Sequence, residues 1–262
     1  MKKILALFFL TAVPATGLAA GGAACGMVQC DAVDIDLGDE ESLQNGARIF
    51  VNFCLSCHSA AYMRYNRMGQ DLGISDELVE ENLLFAADKV GDLMKAVMPT
   101  DDAKVWFGTA PPDLTLSARS RSPEWIYTYL RSFYRDETSF SGWNNAVFEH
   151  VAMPHVLYEW QGEQRALFRF EKSTITVEQD DGTKVEKDIE TKVFDGFEIS
   201  KAGTMTEARY DAAIRDLTNF MVYLAEPAKL VRYRIGIFVL LFLLILFVAA
   251  YLMKKEYWKD VH

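Results

Sequence analysis

Cys54-Leu55-Ser56-Cys57-His58 constrains this chain more than any other feature. Cys-x-x-Cys-His is the spacing at which two thiols can add to the vinyl groups of one haem while the adjacent histidine falls beneath the iron as an axial ligand. Two other readings of the pair compete. A redox dithiol wants a thioredoxin-like strand–turn–helix context and no particular residue afterwards, whereas a structural zinc site needs a second pair of Cys or His ligands downstream. No cysteine follows Cys57. The motif therefore predicts one covalently bound haem c (iron), with Cys54 and Cys57 as attachment points and His58 as the first metal ligand.

The two ends of the chain say where such a group would sit. Residues 1–20 run from Lys2-Lys3 through the apolar stretch Ile4 to Val13 to the small residues Leu18-Ala19-Ala20. That is the order of a secretory signal peptide, and the apolar run is too short to span a bilayer, which takes about 20 apolar residues. Cleavage is expected near Ala20, with Ala24 as the alternative. Export fits the motif, because bacterial haem attachment to thiols takes place outside the cytoplasm. At the other end, Ile235 to Met253 carries no charged residue and is long enough to cross the hydrocarbon layer. Lys254, Lys255 and Lys259 follow it and Arg232 and Arg234 precede it, so flanking charge alone does not orient it. The exported N-terminus does. The expected organisation is a signal peptide over 1–20, a periplasmic haem domain over 21–230, a transmembrane anchor over 231–253 and a cytoplasmic tail over 254–262. This makes a single-pass protein of the bacterial inner (cytoplasmic) membrane.

Without the leader and the anchor about 210 residues remain, enough for one domain with a true core. The formal net charge is −10, with acidic residues bunched at Asp31, Asp34, Asp36, Asp39, Glu40 and Glu41 and again from Glu178 to Glu190. A charge run is commonly just a solvated face, yet an acidic surface would also speed the encounter with a basic partner. Nucleic acid is disfavoured by the same sign. Cys25 and Cys30 are left over from the haem pair. In an oxidising compartment they are expected to pair with one another and close a small loop, the alternative being a bridge to another subunit.

The expected fold class is mainly α: a class I cytochrome c-like haem domain with an inserted β-hairpin region, plus one C-terminal transmembrane helix. Glu41 to Phe53 places Leu43, Ala47, Phe50 and Val51 on one face, an amphipathic helix leading into the haem motif, and Gly46 within it would let another helix approach closely. Further helices are expected at Asp76–Val97 and at Pro123–Tyr134, where Ser122 caps and Pro123 takes the first helical position. Thr204-Met205-Thr206-Glu207 reads as a capping box ahead of a last helix through Tyr210, Ile214, Leu217, Phe220, Met221 and Leu224, stopped by Pro227. Over about 160–198 the period changes, and Leu167-Phe168-Arg169-Phe170, Ile175-Thr176-Val177 and Val185-Glu186 flank Asp181-Gly182 as in a hairpin.

A helix running into Cys-x-x-Cys-His and a C-terminal helix rich in aromatic residues frame class I cytochromes c, and this chain resembles them at both ends. Narrower motifs sharpen the likeness: Cys57-His58-Ser59 followed by Tyr65, Ala110-Pro111-Pro112-Asp113-Leu114, Arg119-Ser120-Arg121, a Met-Pro, and Leu224-Ala225-Glu226-Pro227 running into one anchor. In that order they resemble the cytochrome c1 family, the haem subunits of quinol–cytochrome c reductase (bc1) complexes, over essentially the whole mature chain. The resemblance implies that Pro111 and Pro112 turn the backbone beside His58, where a carbonyl accepting the Nδ1–H would fix the ring. It further implies that Arg121 pairs with a haem propionate and that Tyr127 lies near the haem edge.

A second axial ligand sets the chemistry, since a thioether raises the potential and a second imidazole lowers it. Met153 is the choice, because it precedes Pro154 and sits well downstream of His58. Met98, Met205, His150 and His155 are the alternatives. The function implied is a membrane-anchored carrier taking single electrons from a Rieske iron–sulfur subunit to cytochrome c, beside cytochrome b in a dimeric complex, with no substrate-converting site of its own. A haem subunit of a terminal oxidase is the alternative within electron transfer. A haem enzyme or gas sensor with an open axial position is the alternative outside it.

Overall fold

The structure is a computed structural model that describes residues 24–178 and 184–259. The expected signal peptide over 1–20 and the Asp181-Gly182 turn lie outside the described residues. The elements are α1 (Glu40–Ile49), a π-helical turn (Phe50–Cys54), β1 (Ala60–Arg64), α2 (Tyr65–Asp71), α3 (Asp76–Asn82), β2 (Leu93–Met94), α4 (Thr100–Phe107), α5 (Ser117–Arg121), α6 (Pro123–Arg131), β3 (Phe133–Arg135), β4 (Trp143–Asn145), α7 (Tyr158–Gln161), β5 (Gly162–Glu178), β6 (Lys184–Ala202), α8 (Glu207–Ala225) and α9 (Lys229–Tyr257).

The core forms where α1 crosses α8. Asp39 caps α1 by accepting from the Ser42 amide, and Glu40 and Glu41 in the first turn complement the positive end of the helix. Leu43, Ala47 and Phe50 then fall on one face and meet Ile214, Leu217 and Phe220 of α8, all essentially inaccessible to water. The crossing is close because position 46 has no side chain: a Cβ there would lie 2.2 Å from the Asp216 carbonyl oxygen and 2.6 Å from the Phe220 Cβ. The buried carboxylate of Asp216 beside the crossing is matched, accepting from Ser42 Oγ (2.8 Å) and Asn45 Nδ2 (2.7 Å). A buried carboxylate is tolerated only with such partners.

Three helical expectations are corrected. Helix α3 stops at Asn82 instead of continuing to Val97: the Leu83 and Leu84 amides both turn back onto the Val79 carbonyl, and the chain returns to lie along β1. There the Asp92 and Val90 carbonyls accept from the Tyr65 and Asn66 amides, and β2 pairs antiparallel with β1. Tertiary pairing overrides the apolar period. Helix α6 has the expected Ser122 cap and Pro123 at its first position, but it ends at Arg131, because Phe133–Arg135 is drawn into a hairpin with Trp143–Asn145. The capping box falls two residues later than expected. Thr206, not Thr204, accepts from the Arg209 amide, since the Thr204 amide and hydroxyl are both committed to the Glu159 carbonyl.

The β excursion is a two-stranded antiparallel ribbon, β5 with β6, longer than the 160–198 span expected. Its base joins the domain through Phe168, Phe194 and Phe197, two of which contact Tyr134. Helix α9, about 43 Å long at 1.5 Å per residue, contains the stretch Val231–Tyr257, which is long and apolar enough to cross a bilayer. None of that stretch is buried against the domain.

Candidate haem site

The geometry of the Cys54–His58 turn follows from the way α1 ends. The last turn widens into the π-helical Phe50–Cys54, and the Cys57 and His58 amides both donate to the Cys54 carbonyl, at 3.1 and 2.8 Å. The three side chains thus issue from one turn. Cys54 is buried and Cys57 half-buried, and both are free of disulfide bonding. Burial, helped by Cys57, pushes the Cys54 thiol up to about 12. A neutral buried thiol is neither an activated nucleophile nor a ready zinc ligand. Among the described residues, no group of three or more His, Cys, Asp or Glu could hold a metal ion.

His58 is oriented by the Pro-Pro-Asp stretch. Its Nδ1 lies 2.8 Å from the Pro112 carbonyl oxygen. With Nδ1 as donor, the Nε2 lone pair is left for a ligand. Burial lowers the His58 pKa, against the opposing pull of the Pro112 carbonyl and Asp113, which favours the neutral ring that iron ligation requires. Asp113 holds the stretch in place. Its carboxylate accepts from the Ala61 amide (2.8 Å) and the Thr115 amide (2.9 Å), while the Leu114 amide donates to the Ser59 carbonyl (2.8 Å). Ser59 Oγ also accepts from the Ala96 amide and the Ser56 carbonyl from the Met98 amide, so Ser56 and Ser59 tie two separate segments, around 96–98 and 114, to the motif. Asp113 and Ser59 were legible only as part of motifs, not as anchors.

The remaining candidates lie beside Pro112, at the end of α5, on α6 and in the loop after β4. Arg121 is exposed, with its guanidinium 5.2 Å from the centre of the Trp125 ring. Trp125 stacks on Tyr129 at 4.9 Å. Tyr127 is engaged on the other side, 4.7 Å from the guanidinium of Arg131, which pairs with Asp31 and Asp211. Met153 packs against Phe133, Trp143, Val151 and Tyr129, and Tyr129 donates its hydroxyl to the Met153 sulfur at 3.4 Å. Pro111 sits beside Pro112, half-buried.

The alternatives to Met153 are held elsewhere. His155 is buried and stacked on Phe133, and burial pulls its pKa down to about 4. His150 adopts a left-handed backbone (φ 58) on the wall of an open groove of about 550 Å³. Met205 is tied to the Trp160 carbonyl just ahead of the α8 cap. Val105, Trp106 and Phe140, all exposed, line the same groove together with Val151 and Ala152, the residues that lead into Met153. Two free thiols beside an imidazole fixed through Nδ1 fit a covalently attached haem. Tyr129, which bonds the Met153 sulfur, and Asn144 and Asn145, which close the loop leading to Met153, had no sequence signal beyond residue type.

Residues 35–261 match the Cytochrome C1 family. The chain is 47% identical to cytochrome c1 of Allochromatium vinosum over the full length of both proteins. It is 45% identical to the ammonia monooxygenase gamma subunit of Nitrosomonas europaea, covering 88% of each chain, and 26% identical to cytochrome c1 of Rhodospirillum rubrum, covering 85% of this chain and 83% of that one.

Proposed function

Because the chain belongs to the cytochrome c1 family, as the haem-bearing electron-transport subunit of a bc1 complex, we propose that it takes single electrons from a Rieske iron–sulfur subunit and passes them to a cytochrome c. The observation that supports this reading is the Cys54–His58 turn with His58 Nδ1 against the Pro112 carbonyl, since it orients an imidazole beside two free thiols. A bound haem would supply a one-electron Fe(III)/Fe(II) couple. Cys54 and Cys57 would hold it covalently, His58 Nε2 would bind its iron, and the Pro111-Pro112 turn would keep the imidazole from rotating.

Met153 would provide the second ligand, exchanging the Tyr129 hydroxyl for iron as its sulfur's partner. Its thioether would favour the reduced state and so suit transfer between two high-potential carriers. Arg121 would neutralise a propionate and Tyr127 would lie at the haem edge. Helix α9 would span the bacterial inner membrane with residues 254–262 in the cytoplasm, leaving the haem domain in the periplasm. Neither proton transfer nor a nucleophile is asked of the chain, and quinol chemistry would belong to its partners.

Purification of the tagged chain in mild detergent tests the assignment. Recovery with cytochrome b and a Rieske protein, in a dimeric complex whose haem is reduced by quinol and reoxidised by cytochrome c, is the expected result. Recovery with the subunits of an oxygenase or a terminal oxidase, and no Rieske protein, would contradict it.

A further inference from the structure

Two cysteines outside the haem motif close a loop whose position was not foreseeable. Cys25 and Cys30 form a disulfide, and Cys25 is buried. The loop lies flush against the backbone that follows β4. Gly26 takes a left-handed conformation (φ 58), and a Cβ there would stand 2.5 Å from the Val147 carbonyl oxygen and 2.7 Å from that of Ala146. The Met27 amide donates to the Ala146 carbonyl (2.9 Å), while the Ala146 amide donates to the Ser132 carbonyl (3.1 Å). Ala146 is therefore pinned from both sides, by the disulfide loop and by the end of α6. Beyond the loop, the Asp31 amide donates to Thr128 Oγ1 and the Asp31 carboxylate pairs with Arg131, which fixes its exit on α6 as well.

From Ala146 the hold passes along the chain. The Asn145 side-chain oxygen accepts from the Val147 and Phe148 amides, and the Asn144 side-chain oxygen accepts from the His150 amide. Val151 is buried against Phe133 and Trp143, and Met153 follows two residues later. We propose that the Cys25–Cys30 loop is a positioning clamp for the Met153 thioether, fixing the Ala146–Val151 segment so that the sulfur is held at the iron. This rests on the reading of Met153 as the second axial ligand.

The clamp acts by limiting alternative conformations. A disulfide lowers the freedom of the segment it closes, and here the closed segment is the surface on which Ala146 and Val147 lie. When it is opened, the 144–153 loop should sample states in which the sulfur is withdrawn and a small ligand can reach iron.

The test uses the full-length haem protein in detergent, as wild type, Cys25→Ser with Cys30→Ser, Gly26→Ala with the disulfide retained, and Met153→Leu. Hydrogen exchange at the Ala146, Val147, Phe148 and His150 amides and carbon monoxide binding by the ferrous protein are both measured. The expected result is exchange at least tenfold faster in both loop variants, with carbon monoxide binding raised several-fold toward that of Met153→Leu. Unchanged exchange would overturn the clamp, and faster exchange with carbon monoxide binding as in wild type would overturn its link to the iron. If Met153→Leu itself leaves the spectrum unchanged, the ligand assignment fails, and that result is distinct from failure of the loop variants alone. Should the double serine variant lose its bound pigment through misfolding, Gly26→Ala decides by the same two measurements.

Discussion

Gly46→Ala should destabilise the domain although alanine is the better helix former. In an isolated helix the change is favourable by about 1 kcal/mol. Here the added Cβ would sit 2.2 Å from the Asp216 carbonyl oxygen and 2.6 Å from the Phe220 Cβ, where ordinary contact is 3.4–4 Å. The nearest atom belongs to the backbone of α8, so no side-chain rotation relieves the clash and the helices must part by more than an ångström. That loosens the contact of Phe50 with Phe220, now 5.6 Å between ring centres, and disturbs the Ser42 and Asn45 bonds to Asp216. Overpacking of this kind costs roughly 1–3 kcal/mol, and losing one matched bond to a buried carboxylate adds about 1–3 kcal/mol. Set against the helical gain, a net loss of about 3 kcal/mol is expected, a fall in Tm of roughly 6–12 °C for a domain of this size. Gly91→Ala is the control, since nothing lies within 4 Å of a Cβ there. Thermal unfolding followed by circular dichroism reads both. A Gly46→Ala protein as stable as wild type would refute the close crossing of α1 and α8.

Two further outcomes are expected. A chain ending at Pro227, with residues 1–20 retained, should be exported as a soluble red protein with an unchanged haem spectrum, because the apolar part of α9 buries nothing against the domain; failure to incorporate haem would show that α8 needs α9 in order to pack. Alkaline unfolding should depend on Tyr210, whose hydroxyl donates to the Leu130 carbonyl and whose pKa is pushed up by burial. A phenol held neutral in the native state gives its full stabilisation below the unfolded value near 10 and loses it as the pH rises beyond. Tyr210→Phe should therefore be less stable than wild type at pH 7 but decline less steeply above pH 10, and parallel curves would contradict this.

What could be read from the chain was what local chemistry decides. The 3.6 period of Leu43, Ala47 and Phe50, the glycine between them, the Ser122-Pro123 start of α6 and the alternating strands of the ribbon all act within a few residues of themselves. The pairing of Cys25 with Cys30 followed from compartment and count. What was misread depended on distant partners. Residues 83–97 keep an apolar pattern but spend it against the core in irregular backbone, because their carbonyls are needed by Tyr65 and Asn66. Thr204 and Thr206 are equally good caps in isolation, and only the Glu159 carbonyl decides between them. The asparagines that shape the Met153 loop read as ordinary polar loop residues until their side chains are seen to close it.

The central claim is that Cys54 and Cys57 carry a haem by covalent bonds, with the rest of the domain built to hold and tune it. Intact-mass measurement of the purified, denatured chain, followed by mapping of the modified peptide, tests this most directly. The expected result is the mass of the polypeptide plus one haem, with the addition confined to the peptide containing Cys54–His58 and absent from a Cys54→Ser, Cys57→Ser chain. A polypeptide of unmodified mass with both thiols free to react would contradict the account.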